Sequence, residues 1–216
     1  MALHFTDIEA ALDHLLARLP AGLRVAAPLG LGKPHRLLNA LYARVEADPS
    51  RPLHLYTALS LDPPSPGKGL QARFLGPFLA RHFGEDFPRL AYVQAMKRDA
   101  LPAHIEVEEF YLQSGALLDS AQTQRRYASL NYTHVAAALA ARQVHLITQK
   151  VAREPGGDRL SFSCNTDLTA DTVDAHLARG LPRPLLVAEI DPQLPWLGGS
   201  AVAPDGFFDV VIDPPG

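Results

Sequence analysis

The chain has 216 residues, a formal net charge of −3, a pI near 6.3 and 47% hydrophobic residues. This composition predicts a folded chain with one large core, and the charge gives no general attraction to nucleic acid or anionic membranes. We find neither the basic and apolar segments of a secretory signal nor an apolar run of the roughly 18 residues that a membrane span needs. The single cysteine, Cys164, forms no internal disulfide, so the cytoplasm is the expected compartment.

The first part of the chain predicts a helix, a strand, a glycine loop and a second helix. Thr6 and Glu9 fit a capping box, so a helix is expected to start there. Residues 23–27 form an apolar run typical of a buried strand. Leucines at helical spacing follow the loop at residues 30–34, and Pro34 suits the first helical position because its missing N–H would lack a partner there anyway.

The remainder of the sequence alternates between predicted strands and predicted helices. Strands are expected at residues 53–61, 105–112, 144–151, 160–164, 185–190 and 207–212. Helices are expected at residues 71–82 and 89–98, from about residue 129, and after Thr169 as a cap. The alternation favours an α/β fold with an open, mainly parallel sheet covered by helices. Pro214, Pro215 and Gly216 follow the last strand as a stretch typical of domain boundaries, so residues 1–216 are expected to form one domain ending there.

The loop formed by Gly30, Gly32, Lys33 and Pro34 is the best local candidate for a binding site. Glycines let backbone N–H groups approach an anion, and the N-terminus of the following helix adds partial positive charge. The loop is not a P-loop, because Pro34 stands where Ser or Thr is needed, and it lacks the third glycine of the dinucleotide fingerprint. From these residues alone, a tight turn that binds no ligand is an equally good interpretation.

A second group of polar side chains lies at the predicted helix start near residue 130. Asn131, Tyr132, Thr133 and His134 all carry hydrogen-bonding groups, and helix capping by Asn131 or Thr133 is favoured over ligand binding. The histidines of the chain do not have the spacing of a helical metal pair, and no Cys–His pattern suggests zinc. We therefore predict no metal site.

Other reactive side chains are interpreted as structural or solvated. Cys164 follows an apolar strand and is expected to be a small buried residue. Glu106, Glu108 and Glu109 lie in a predicted strand, and at least the first two are expected on its solvated face. Solvated surface is favoured over a nucleophilic role, which would need desolvation or oriented donors. No serine has the Gly-x-Ser-x-Gly surroundings of a hydrolase nucleophile. The sequence thus predicts no catalytic residue in this chain.

Three segments taken together carry a family resemblance. They are PLGLGKP at 28–34 with LLNAL at 37–41, SLNYTH at 129–134, and AEIDP at 188–192 followed by Pro195 and two glycines at 198–199. In this order they resemble the acetyl-CoA hydrolase/transferase family, which includes acetate, succinyl-CoA and 4-hydroxybutyrate CoA-transferases. The resemblance covers the chain from about residue 23 to its end.

The resemblance implies that the chain is the N-terminal half of such an enzyme, with a CoA-transferase-like α/β fold. Acyl-CoA would bind between two related halves, and a glutamate of the second half would attack the thioester, so this half alone would be inactive. Coenzyme A would be a substrate rather than a tightly bound cofactor, with a small carboxylate as the other substrate. The residues that match the family's glycine loop and Asn-Tyr pair, and are therefore the CoA-binding candidates, are Gly30, Gly32, Lys33, Pro34, Asn131 and Tyr132.

Two departures from the family and two other interpretations remain. Asp191 stands where the family usually has asparagine, and residues 150–159 match its glycine-containing loop poorly. The chain is alternatively a stand-alone module for CoA or a related phosphorylated ligand, or a structural domain whose glycine loop is merely a turn. If another segment completes the sheet at its last strand, an exposed apolar edge would make the isolated domain pair with itself as a homodimer.

Overall fold

The computed structural model of the chain describes residues 2–84 and 87–214, so the expectation for Pro215 and Gly216 lies outside the described residues. The strands are β1 Leu3–Phe5, β2 Leu23–Ala26, β3 Leu53–Thr57, β4 Ile105–Glu109, β5 Leu146–Arg153, β6 Leu160–Ser161, β7 Leu185–Ile190 and β8 Val210–Ile212. The α-helices are α1 Ile8–Leu16, α2 His35–Glu46, α3 Leu70–Phe83, α4 Ala91–Lys97, α5 Ala121–Arg126, α6 Val135–Ala141 and α7 Thr169–Ala178.

The strands confirm the predicted open parallel sheet. Over the described residues, seven strands pair in parallel in the order β1-β8-β7-β5-β2-β3-β4, and β6 adds a short antiparallel pairing to the end of β5. The chain builds outward from β2 through β3 to β4, then crosses to the other side of β2 and builds outward again through β5, β7 and β8. The strand order therefore reverses between β2 and β5.

Helices cover both faces of the sheet, as a parallel sheet with two apolar faces requires. One face packs against α1, α2 and α4 through side chains such as Leu12, Leu41 and Met96, each 1% exposed. The other face packs against α6 and α7, where Val173 and Phe208 belong to a second core cluster. Each large apolar side chain buried this way contributes about 1.5–3 kcal/mol, so the two clusters hold the loops at the sheet edge on a rigid base.

The predicted helix starts are each shifted by one residue or more. Asp7 caps α1 instead of Thr6, because its Oδ1 accepts a hydrogen bond from the N–H of Glu9 at 2.9 Å. Pro34 is the N-cap of α2 and not its first helical residue, with an extended ψ of 90°. Thr169 lies inside α7 and does not cap it, since its hydroxyl donates to Gln149 Oε1 at 2.8 Å.

Several strands are shorter than the apolar runs that predicted them, and β1 and α5 were not predicted. Apolar character continues past the end of β3 and β6 into loop residues that are buried without strand pairing, such as Ala58 and Phe162. β1 has three residues, too few for a periodic signal, and pairs in parallel with β8 from Leu3 opposite Val210. The last strand of the chain is therefore flanked by β1 and β7 and is not an edge strand.

Candidate functional site

Open α/β sheets bind ligands in the crevice outside the carboxyl ends of the strands, at the point where the strand order reverses. In this sheet that point lies between β2 and β5. Three segments meet beside it: the glycine loop at residues 27–34 after β2, residues 129–134 before α6, and residues 162–168 before α7. The first two were predicted as candidates, and the third was not.

The glycine loop makes a tight turn that needs both of its glycines. Gly30 begins a 3-10 turn at φ +54, a left-handed conformation that disfavours a side chain, and its N–H donates to the carbonyl of Leu59 at 3.2 Å. A Cβ on Gly32 would lie 2.8 Å from the side-chain Cγ of Asn165. The missing side chain of Gly32 therefore allows residues 162–168 to press against the loop.

Two side chains of residues 162–168 bind the backbone of the glycine loop. Asn165 donates from Nδ2 to the carbonyl of Leu29 at 2.6 Å, and the N–H of Leu29 donates to Asp167 Oδ2 at 2.7 Å. The other carboxylate oxygen of Asp167 accepts a hydrogen bond from the Tyr132 hydroxyl at 2.6 Å. Asp167 thus joins the glycine loop to the Asn-Tyr segment, although Leu29 and Tyr132 are 103 positions apart in the sequence.

Lys33 supports the glycine loop from beneath. Its side chain is 0% exposed, and its ammonium group donates to the carbonyls of Pro28 at 2.7 Å and Leu59 at 3.3 Å, and also to that of Ala58. Burial lowers the pKa of Lys33 to about 8, whereas the nearby carboxylates of Glu109 and Asp167 act to raise it. The ammonium faces the interior of the protein. Its hydrogen bonds join the glycine loop to the loop that follows β3.

Glu109 is buried, which corrects the preference for solvated surface at the three glutamates of this strand. Its side chain is 2% exposed and accepts a hydrogen bond from the Ser60 hydroxyl, which lies 2.6 Å from the hydroxyl of Tyr92. Burial raises the pKa of Glu109, and the charge of Lys33 acts against that rise. Side chains alternate along a strand, so Glu109 shares the inward face with Ile105 and Val107; this period-two pattern is the signal that identifies it.

The Asn-Tyr segment presents its side chains at the surface. Asn131 Oδ1 accepts from the N–H of Thr133 at 3.1 Å and from its hydroxyl at 3.0 Å, which is the capping arrangement that the spacing favoured. Tyr132 is 44% exposed, and its pKa is raised by partial burial and by its hydrogen bond to Asp167. Both residues are accessible to a ligand, and their CoA-binding role remains a prediction.

A second set of charged groups, from β5, β7 and the residue after β7, lies near the start of α2. Glu189 Oε2 accepts from the N–H of Leu37 at 2.9 Å, and burial raises the pKa of Glu189. Lys150 pairs with Asp191 at 2.9 Å; burial acts to raise the pKa of Asp191, but the bonds from Lys150 and Gln193 lower it below its ordinary value. Asp191 therefore acts here as an ion-pair partner of Lys150.

Cys164 is exposed, contrary to the expectation that it is buried. The strand preceding it ends at Ser161, so Cys164 lies in the following loop and not in the core.

No helix among the described residues is long and apolar enough to cross a membrane.

Comparison with known proteins gives structural matches alone, since no family model and no curated protein matches the sequence. RipA from Yersinia pestis matches with a TM-score of 0.59 at 15% identity, covering 96% of this chain and 44% of RipA. A 4-hydroxybutyrate CoA-transferase (abfT-2) from Porphyromonas gingivalis matches with a TM-score of 0.50 at 17% identity, covering 98% of this chain and 40% of that protein. The chain therefore has the fold of one half of these structures, which confirms the predicted CoA-transferase-like α/β fold, and it spans about two fifths of their length.

Proposed function

We propose that this chain is one half of an acyl-CoA hydrolase or CoA-transferase and supplies one wall of its acyl-CoA site. The observation that carries the proposal is the hydrogen-bonded contact, through Asp167, between the glycine loop and the Asn-Tyr segment. These are two of the three segments that resemble the family, and they meet at the reversal point where sheets of this type bind ligands. The CoA-transferase-like fold supports the same conclusion.

The described groups of the site do not supply a nucleophile. In the glycine loop, the N–H groups of Leu29, Gly30, Gly32 and Lys33 already donate to acceptors within the chain. Asp167 is engaged by two donors at 2.7 and 2.6 Å, and Glu109 lies beneath the loop at 2% exposure. The attacking carboxylate therefore has to come from a second half, as it does in the family that the sequence resembles.

Calorimetric titration of the purified chain with CoA and acetyl-CoA, together with an assay of thiol release, tests this proposal. We expect binding without turnover. Asp167→Asn and Tyr132→Phe each remove part of the link between the two segments and should weaken binding several-fold, by about 1 kcal/mol per lost hydrogen bond. Tyr127→Phe is the matched control, because Tyr127 is 46% exposed, close to the 44% of Tyr132.

The outcomes separate this proposal from the alternatives. Rapid thiol release by the chain alone would contradict the missing nucleophile. Equal affinity for CoA in all variants, without turnover, would support a binding module whose site lies elsewhere. If Tyr127→Phe weakens CoA binding as much as Tyr132→Phe does, the site cannot be assigned to the Asn-Tyr segment.

A further inference from the structure

Helix α3, at Leu70–Phe83, lies on the protein without joining either core cluster. None of its residues is buried, whereas each of the other six described α-helices has at least one buried residue. Its inward side, which includes Leu75, Leu79 and Phe83, is half buried. Phe83 holds the end of the helix by an edge contact with Phe87, whose ring centroid lies 5.2 Å away. The opposite side of α3 faces solvent.

Large apolar side chains form a row along this outward side. Leu70, Phe74 and Phe78 lie four residues apart, so they share one face of the helix. They are 81%, 79% and 47% exposed. The rings of Phe78 and His82 stack with centroids 4.4 Å apart, which continues the row to the last turn. Single exposed apolar residues are normal on a protein, but a continuous row of them indicates a surface that another body covers.

Positive charge lies beside the apolar row. Arg73 and Arg81 are both exposed, and Pro77 stands between them on the neighbouring row of the helix surface. Lys68 precedes the helix, and no acidic residue occurs from residue 63 to residue 84. Among the described residues, none of these three cations forms an ion pair with a carboxylate. The segment is therefore locally basic, although the whole chain carries a net charge of −3.

This combination suits an anionic lipid surface better than a second copy of the chain. Helices that lie in a bilayer interface insert a face of Phe and Leu and keep Lys or Arg beside it. Two copies joined face to face would bring the row of Arg73 and Arg81 against itself, and α3 has no carboxylate to meet it. The hydrogen bonds that join the three segments of the candidate site do not involve α3, so a lipid contact would leave them intact.

We propose that α3 is an interfacial helix that docks this protein onto an anionic bilayer. Leu70, Phe74 and Phe78 would insert at the level of the headgroups, with Arg73 and Arg81 beside the anionic groups. The strength of such binding depends on the inserted apolar area together with the attraction of the cations to anionic lipid. Each cation near the surface increases the affinity about fivefold, and salt screens this attraction.

Co-sedimentation of the purified chain with lipid vesicles tests the role of charge. We expect binding to vesicles of phosphatidylcholine mixed with phosphatidylglycerol, and much weaker binding to pure phosphatidylcholine. Arg73→Gln/Arg81→Gln should lower the affinity for the anionic vesicles roughly 30-fold, because two cations are lost. Arg125→Gln/Arg179→Gln makes the same change in charge at exposed positions outside α3, and it should change the affinity by less than about twofold.

Substitutions in the apolar row test insertion. Phe74→Ser should weaken binding to the anionic vesicles about tenfold, because a ring is no longer transferred out of water. Leu118→Ser is the control, at a position outside α3 that is 68% exposed, and it should leave binding unchanged. Both positions face solvent, so both variants should keep the urea midpoint of the unmodified chain. In a Trp196→Phe chain, Phe74→Trp should show emission at shorter wavelength when anionic vesicles are added.

Three results would overturn the proposal. The first is no binding to anionic vesicles, or equal binding to neutral ones. The second is binding that Phe74→Ser leaves unchanged, together with no shift in the emission of Phe74→Trp, since the lipid contact would then lie outside α3. The third is a dimer in sedimentation velocity that Phe74→Ser dissociates, because the apolar row would then belong to a contact between copies of the chain.

Discussion

Replacing Lys33 by methionine tests whether the buried ammonium holds the glycine loop in place. The variant keeps the length of the side chain but removes the donor shared by the carbonyls of Pro28, Ala58 and Leu59. It also leaves Glu109 buried without its nearby cation. These two losses lower the free energy of unfolding, whereas removal of the buried charge of Lys33 raises it.

The destabilising effects of Lys33→Met are larger than the stabilising one. Protonating an unpaired buried glutamate at pH 7 takes at most about 3 kcal/mol, starting from an ordinary pKa of 4.5. Three carbonyls that lose a donor add about 1 kcal/mol each. Relief of the buried charge of Lys33, whose pKa falls from 10.5 to about 8, returns about 3 kcal/mol. We therefore expect Lys33→Met to lower the free energy of unfolding by about 3 kcal/mol.

The double variant Lys33→Met/Glu109→Gln provides the decisive comparison. It removes the uncompensated carboxylate, so it should be more stable than Lys33→Met by about 2–3 kcal/mol, measured by urea unfolding at pH 7. Lys68→Met, at an exposed lysine, should stay within about 0.5 kcal/mol of the unmodified chain. A double variant no more stable than Lys33→Met would refute the coupling of these two buried groups.

Three further results are expected. The free energy of unfolding should rise by up to about 3 kcal/mol between pH 8 and 10.5, because in this pH range Lys33 is protonated in the unfolded chain but not in the folded one. Urea unfolding measured across this range should show the rise in the unmodified chain and not in Lys33→Met. Burial lowers the pKa of His35 to about 4 from 6.5, so stability should fall by up to about 3 kcal/mol as the pH drops from 6.5 to 4, and a His35→Phe chain that keeps this slope would contradict the assignment. Gly32→Ala should displace Asn165, because the new Cβ would lie 2.8 Å from its side chain, and should therefore weaken CoA binding in calorimetry. Gly30→Ala has open space around its Cβ, but its φ of +54 disfavours a side chain. This variant should lower the melting temperature through about 1 kcal/mol of backbone strain.

The sheet was predictable because its signals are local. Apolar runs separated by helical spacing identified all strands except β1, and β7 at Leu185–Ile190 has the predicted bounds. Helix caps were less predictable, because Thr6 and Asp7 are both acceptable caps and local geometry selects the latter. The three residues of β1 become a strand through pairing with β8, a long-range contact that no sequence period reports.

The candidate site was predictable in part for the same reason. The glycine loop and the Asn-Tyr pair have recognisable composition, so the sequence identified both segments. Asp167 and Asn165 look like ordinary turn residues in the sequence. They bind the glycine loop through contacts across 138 and 136 positions, respectively. Burial of Glu109 followed from strand alternation, which the acidic character of its neighbours obscured.

The central claim is that the glycine loop, the Asn-Tyr segment and residues 162–168 form one CoA-binding surface on this chain. Amide NMR of the labelled chain during titration with CoA tests it most directly. The account predicts shifts concentrated at residues 27–34, 131–134 and 163–168, with Asp167→Asn reducing them in all three segments together. No shifts in these segments up to millimolar CoA, or shifts confined to another part of the sheet, would contradict it.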